Sequence, residues 1–277
     1  MTVPQTMAVP AAAGASAPPA AATGPLTVLV CALGGEGGGV LSEWLYETAV
    51  HAGYAAQSTS VPGVAQRTGA TTYYIEIHPQ PLAALQGRRP VFSLNPVPGA
   101  LDLLVSSELL ETLRQVGNGM SDPARTRIIS STARALTVAE KMPLGDGRAD
   151  AAALAHTLQQ HGRRVELLDL AALAQQAGTV ISAVLLGAVA ASGVLPMPRA
   201  AYEAAIRRSG KGVDASLRGF ALAFEAVMAR QQAQDLVEQA LAPVMAPPST
   251  EALRALARER LTAYQDAAYA RLYDERL

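Results

Sequence analysis

The sequence is short of cysteine, of aromatic side chains and of net charge. It has one cysteine, Cys31, so it can form no internal disulfide and cannot hold an iron–sulfur cluster or a structural zinc by cysteine ligands. Aromatic residues make up 4% of the chain, and 22 Lys and Arg residues are balanced by 23 Asp and Glu residues. Without a basic surplus or stacking aromatic residues, the chain is not expected to bind nucleic acid. A single thiol inside an apolar run fits a reducing compartment, and we expect a cytoplasmic protein.

Motifs that would give the chain a catalytic site of its own are also missing. The sequence has no G-x-S-x-G elbow, no H-E-x-x-H and no phosphate-binding loop with Gly-Lys-Ser/Thr. Its four histidines are isolated, and His156 and His161 are five residues apart, which places them on different faces of a helix. We therefore predict no metal site and assign no catalytic residue in this chain.

Long apolar segments suitable for a membrane are lacking. Residues 1–25 are rich in Ala and Pro and carry no charged side chain. Because they lack the basic N-terminal region of a signal peptide, we predict a disordered leader. The most apolar stretch, Val180 to Leu195, is shorter than the roughly 20 residues that a span needs. We expect a buried helix there and no membrane span.

The fold class is indicated by the segment that begins at Leu26. Its first part, Leu26 to Leu33, is an apolar run that predicts a central strand. Glycines crowd the next six positions, and from Val40 the apolar residues recur at helical spacing. A strand that enters a glycine-rich turn at a helix start is typical of a doubly wound α/β domain. Further strands are predicted at Tyr54–Ser60, Ala70–His78, Leu101–Ser106, Arg127–Ser131 and Arg164–Leu168.

Helical patterns dominate after Asp169, and Pro243, Pro247 and Pro248 then interrupt them. We predict three parts: the leader at 1–25, one domain at 26–242, and a linker with a charged helix at 243–277. The fold class is α/β: a Rossmann-like, doubly wound, mostly parallel sheet flanked by helices, with a helical extension at the C-terminus.

The glycine turn does not match a dinucleotide fingerprint. Gly35-Glu36-Gly37 begins a G-x-G-x-x-G pattern, but Val40 stands at the third glycine position. The second strand ends without an acidic residue to hold a ribose, and Glu36 would repel a pyrophosphate. NAD and FAD are therefore disfavoured as ligands.

Two parts of the sequence carry basic residues that could bind an anion. In the loop Gln66-Arg67-Thr68-Gly69, the arginine could hold a carboxylate or phosphate, or bridge two loops structurally, and the residues do not decide between these roles. A second group could meet a phosphate, although a solvated helix end is the favoured interpretation; it comprises Arg207, Arg208, Lys211 and Arg218.

Two motifs together carry a resemblance to a known family. Ala32-Leu-Gly-Gly-Glu-Gly-Gly-Gly-Val40 is followed, some thirty residues on, by Gly63-Val-Ala-Gln-Arg-Thr-Gly69. This pair resembles the GGQG-type turn and the later G-x-x-Q-R-G-G-type loop of the gamma-type domain in the pyruvate/2-oxoacid:ferredoxin oxidoreductase family. The chain is similar in particular to the small (beta) subunits of indolepyruvate oxidoreductases. Glu36 and Thr68 depart from the family pattern, where Gln and Gly are usual.

The resemblance implies a subunit of a multisubunit enzyme. Such enzymes oxidatively decarboxylate a 2-oxoacid to acyl-CoA and pass the electrons to ferredoxin or another acceptor. Thiamine diphosphate, Mg²⁺ and the iron–sulfur clusters would lie in a large alpha subunit, with coenzyme A in the assembled complex and no cofactor bound by this chain alone. The loops on the substrate or coenzyme A side, or at the interface, would comprise Gly34, Gly35, Glu36, Gly37, Gly38, Gln66, Arg67, Thr68 and Gly69.

Two other functions remain open at this stage. A stand-alone Rossmann-type dehydrogenase would need the glycine turn to bind a nucleotide. A non-catalytic assembly subunit would use the apolar helix at Val180 to Leu195 as an interface.

Overall fold

The computed structural model describes residues 24–61, 70–245 and 250–276. Within these residues six strands form one mixed sheet, in the order β2-β3-β1-β4-β5-β6. The strands are β1 (Leu26–Leu33), β2 (Tyr54–Val61), β3 (Ala70–Pro81), β4 (Leu103–Ser106), β5 (Arg127–Ser131) and β6 (Arg164–Leu168). The strands β1, β4, β5 and β6 run parallel, whereas β3 runs antiparallel to both of its neighbours, β1 and β2. Three of the five pairings are parallel, so the predicted α/β, mostly parallel fold class is confirmed.

Ten α-helices lie in the same described residues. They are α1 (Gly38–His51), α2 (Leu109–Gly117), α3 (Val138–Lys141), α4 (Ala151–His161), α5 (Leu170–Ala177), α6 (Ile181–Ser192), α7 (Arg199–Ser209), α8 (Val213–Met245), α9 (Thr250–Tyr264) and α10 (Ala267–Arg276). Acidic N-caps begin four of them: Glu108, Asp150, Asp169 and Asp266 accept hydrogen bonds from backbone N–H groups two or three residues further on. Each cap satisfies a donor that the first helical turn leaves unpaired.

Alternating residues of β1 face two cores. Val28 and Val30 belong to the larger core, which also contains residues of α1, α6, α7 and α8. Leu29 and Cys31 point to the other face and belong to a smaller core, against which Val116 of α2 packs. A strand that is buried on both faces needs a continuous apolar sequence, which explains the run from Leu26 to Leu33.

The predicted buried helix is confirmed as α6, in which ten of twelve residues are buried. No single helix among the described residues is long and apolar enough to cross a membrane. The helices α5 and α6 reach that length and composition only as a pair, and they are bent by 113° relative to each other.

The chain forms two compact units, Met1–Met228 and Ala229–Leu277, with the boundary inside α8. In the second unit, two helices occupy the stretch expected to form one. Asp266 separates them, since its carboxylate accepts a hydrogen bond from the backbone N–H of Tyr269 at 2.8 Å and caps α10. Most of the predicted leader lies outside the described residues, and the predicted domain boundary at 242 and 243 stays a prediction.

Candidate functional site at the carboxyl end of the parallel strands

The glycine turn joins β1 to α1 in four residues. Gly35 (φ +90°) and Gly37 (φ +76°) adopt the left-handed conformation, which costs little only for glycine. The Glu36 N–H donates to the carbonyl of Leu33 at 3.1 Å and closes the turn. Gly37 is the N-cap of α1 and has no side chain to accept a hydrogen bond, so no side-chain cap pairs with the first N–H groups of the helix.

Gly38 brings α1 against the sheet. A Cβ atom at this position would lie 2.6 Å from the Cβ of Ala32 and 2.8 Å from Cε2 of Tyr73, so no side chain fits. In a dinucleotide fingerprint the third glycine has this packing role. Here Gly38 takes that role two residues earlier, and Val40 is partly exposed.

Glu36 does not point into solvent. Its Oε2 atom accepts hydrogen bonds from the backbone N–H of Leu33 at 3.3 Å and from the hydroxyl of Ser107. Ser107 follows β4 directly and is buried, and its N–H donates to the carbonyl of Cys31 at 3.1 Å. The Glu36 carboxylate therefore links the end of β1 to the end of β4.

This link spans the topological switch point of the sheet. From β1 the chain goes to β2 and β3 on one side, and it returns to the other side at β4. Ligands of open α/β sheets bind in the crevice at such a point. A carboxylate held there supports the expectation that a pyrophosphate would be repelled. The importance of Ser107 could not be inferred from residue spacing, because its partner is far away in the sequence.

Ser182 of α6 is a further polar group at the turn. The position of a Cβ on Gly37 would be 3.0 Å from Ser182 Oγ. Ser182 is buried, and its hydroxyl has no hydrogen-bond partner among the described residues. The sequence places Ser182 in an uncharged apolar stretch and gives no signal that it meets the glycine turn.

The loop predicted to carry Gln66, Arg67, Thr68 and Gly69 lies outside the described residues. The strands on either side of it are described: β2 ends at Val61, β3 starts at Ala70, and Ala70 pairs with Leu33 at the end of β1. The end of β2 and the start of β3 therefore lie at the same end of the sheet as the glycine turn.

Other candidates from the sequence have structural roles. Cys31 is fully buried, and burial, followed by the charge of Glu111, raises the pKa of its thiol far above the ordinary range. His156 and His161 bond within α4, to Gln160 and to the carbonyl of Thr157. No group of three His, Cys, Asp or Glu side chains among the described residues could hold a metal ion.

The sheet order and the glycine turn at its switch point define a doubly wound α/β protein whose candidate site lies at the carboxyl ends of β1 and β4. The described residues there provide backbone N–H groups, hydroxyls and a carboxylate, and the Ser107 hydroxyl that donates to this carboxylate is buried. The sequence model of the pyruvate ferredoxin/flavodoxin oxidoreductase family matches residues 27–226, so the chain belongs to this family.

Solved structures share this fold at low sequence identity. The gamma subunit of a keto/oxoacid ferredoxin oxidoreductase from Geobacter sulfurreducens PCA is 18% identical with a TM-score of 0.51, over 75% of this chain and 98% of that one. A 2-oxoglutarate:ferredoxin oxidoreductase from Magnetococcus marinus, with 2-oxoglutarate, coenzyme A and succinyl-CoA bound, is 14% identical with a TM-score of 0.51. That match covers 76% of this chain and 32% of the other, so the chain spans about a third of this relative. No curated protein matches the chain by sequence.

Proposed function

We propose that this chain is the subunit of a cytoplasmic 2-oxoacid oxidoreductase that does not bind thiamine diphosphate. The complex would convert indolepyruvate or a related arylpyruvate to the acyl-CoA. Family membership over residues 27–226 is the observation that carries the proposal. The electrons would leave through ferredoxin or another acceptor. The preference for an arylpyruvate rests on the resemblance of the two loops to small subunits of indolepyruvate oxidoreductases.

The single cysteine and the other described residues provide no ligand set for the iron–sulfur clusters of such an enzyme. This cysteine is buried in β1, and the described residues contain no cluster of metal ligands. The iron–sulfur clusters are therefore assigned to a large alpha subunit, and the family resemblance assigns thiamine diphosphate and Mg²⁺ to the same subunit. The role left to this chain is to bind, orient and shield groups at the substrate or coenzyme A side.

The glycine turn suits that role, because Gly34 and Gly35 are exposed and have no side chain to keep a ligand or a partner away. The Glu36–Ser107 contact fixes the turn against β4. Arg67 would supply the cation that orients a carboxylate or phosphate, or would hold its loop against the partner.

Exposed apolar side chains near the same end of the sheet favour a partner there. Val138 and Met142, in and directly after α3, are 74% and 76% exposed, and Leu144 is fully exposed. They follow β5, which runs parallel to β1 and β4 and so ends on the same side. Exposed apolar side chains that lie close together are typical of protein interfaces.

Co-expression with a candidate thiamine-containing alpha subunit tests the proposal. We expect the isolated chain to be colourless and inactive, and the complex to reduce an acceptor with indolepyruvate or phenylpyruvate only when coenzyme A is present. Pyruvate and 2-oxoglutarate serve as comparison substrates. An alpha subunit that is equally active without this chain would contradict the proposal.

Arg67→Ala in the assembled complex tests the loop. Loss of a charge-assisted pair predicts a fall in kcat/KM of at least about tenfold. The exposed Arg89→Ala is the matched control and should leave turnover unchanged. Intact turnover in Arg67→Ala would favour the assembly role over a role in the site.

A further inference from the structure

Among the described residues the sheet ends in two edge strands, β2 and β6, which differ in their protection against pairing. The strand β6 has five residues, and two of them, Arg164 and Glu166, are charged. The strand β2 has eight residues and contains neither a charged residue nor a proline. Short length, charge and proline are devices that keep an edge strand from pairing with another chain. The edge at β2 lacks all three.

The edge of β2 is also regular over most of its length. Its residues from Ala56, opposite Ile77, to Val61, opposite Thr72, pair with β3 without interruption, and the irregularity in the pairing lies before Ala56. In the part of the chain that the structure describes, β3 is the one strand that pairs with β2. Alternate backbone N–H and C=O groups of β2 therefore point away from the sheet, where a further strand can pair with them.

The loop before β4 covers one face of β2 and contacts its side chains. Gln57 Nε2 donates to the carbonyl of Ser93 at 2.9 Å, and the Thr59 hydroxyl donates to the carbonyl of Leu94 at 2.9 Å. The Ser93 N–H donates to the carboxylate of Glu76 in β3 at 2.7 Å. The Leu94 side chain is 66% exposed. The loop thus presents an apolar group beside β2 without using the backbone groups of its edge.

On the other face of the sheet, α1 runs beside β2. The hydroxyl oxygens of Ser42 in α1 and Ser58 in β2 are 2.8 Å apart. Tyr46 and Val50 follow Ser42 at intervals of four residues, so they lie on the same side of α1. Both are exposed. Exposed apolar side chains therefore flank the edge of β2 on both faces of the sheet, which is typical of a protein interface.

We propose that two copies of this chain form a dimer through β2, with the two β2 strands antiparallel about a twofold axis. Their sheets then form one continuous sheet, in which α1 meets its counterpart on one face and the loop before β4 meets its counterpart on the other. Such an interface must be complementary to itself. The strand β2 meets this condition, because it carries no charge that its copy would repel and its hydroxyl and amide side chains both donate and accept.

The exposed apolar residues near α3 lie elsewhere on the sheet. They follow β5, and β3, β1 and β4 stand between β5 and β2. At about 4.8 Å between neighbouring strands, roughly 19 Å separate β5 from β2. A different subunit that binds near α3 can therefore leave β2 free for a second copy, and the dimer does not rest on the enzyme proposed above.

Sedimentation velocity of the full-length chain tests the dimer, which should become the main species as the chain concentration rises. Ser60→Lys and Leu94→Lys each change an exposed side chain of the proposed interface. Because each variant places two like charges in the dimer interface, each should raise the dissociation constant at least about tenfold. Gln159→Lys adds the same charge at an exposed position of α4, near the other edge of the sheet, and should leave the dissociation constant unchanged.

Hydrogen exchange measured by mass spectrometry locates the contact. Diluting the chain below the dissociation constant should make the amides of Tyr54–Val61 exchange faster, because pairing with the second copy protects them. The amides of Arg164–Leu168, in the other edge strand, should exchange at the same rate before and after dilution.

Three results would overturn the proposal. The first is a chain that stays monomeric at millimolar concentration; if its β2 amides then become protected only in the complex, the alpha subunit occupies this edge instead. The second is a dimer that persists unchanged in Ser60→Lys and Leu94→Lys protein with wild-type circular dichroism spectra. The third is protection of β2 that does not change on dilution, which would mean that the same chain covers the edge. None of these results changes the outcome of the co-expression test, so the two proposals fail independently.

Discussion

At the scale of single residues, Gly38 is a position that leaves no room for a side chain. A methyl group there would overlap both Ala32 and Tyr73. We expect Gly38→Ala to lower the free energy of unfolding by about 1–3 kcal/mol, because α1 would have to move away from the sheet. Urea denaturation measures this change.

The neighbouring Gly34 provides the control for that variant. No atom lies within 4 Å of a Cβ built on Gly34, and its φ is not in the left-handed region. Gly34→Ala should change stability by no more than about 0.5 kcal/mol. Equal losses in both variants would show that the turn disfavours any side chain, whatever its packing.

The contact between Glu36 and Ser107 is a second prediction at this scale. If the carboxylate ties β1 to β4, the variants Glu36→Gln and Ser107→Ala should each destabilise the chain, but less than additively when combined. A double-mutant cycle should give a coupling of about 1 kcal/mol, since Glu36 is only half-buried. Additive losses would mean that the two residues act independently.

At the scale of elements, the crossing of α6 and α8 depends on Gly187. A Cβ at Gly187 would fall on the backbone carbonyl of Phe220 in α8, which cannot move like the end of a side chain. We expect Gly187→Ala to cost about 3 kcal/mol or more, measured by urea denaturation. Gly117→Ala in α2 is the control: nothing lies within 4 Å there, so its effect should be neutral or slightly stabilising.

At the scale of elements, the sequence predicts where some strands begin and end, but it does not predict the order of the strands in the sheet. The bounds of β5 and β6 follow from the sequence, because an isolated apolar run sets the ends of a buried strand. The insertion of β3 between β1 and β2 does not follow, since strand order depends on pairings between distant residues such as Leu33 and Ala70. The positions of Ser107 and Ser182 do not follow from the sequence for the same reason: only the folded chain brings them to the glycine turn.

At the scale of the whole molecule, the two units differ in how much core they bury. Within residues 229–240 and 250–276, Ala270 is the one buried apolar residue, whereas the first unit holds both cores. A chain that ends at Met228 should therefore still unfold cooperatively, within a few degrees of the full-length melting temperature. Circular dichroism melts test this. A loss of cooperativity would mean that the second unit is needed for the fold.

Cys31 has a practical consequence for every one of these variants. It lies in β1, pairs with Thr72 and Ser106 on either side, and is inaccessible with a raised pKa. A disulfide reagent can reach this thiol only when β1 leaves the sheet, so its reaction rate measures how often the centre of the fold opens. The reaction rate of Cys31 thus reports the opening of β1 in the native chain. Gly38→Ala should increase this rate, and Gly34→Ala should not.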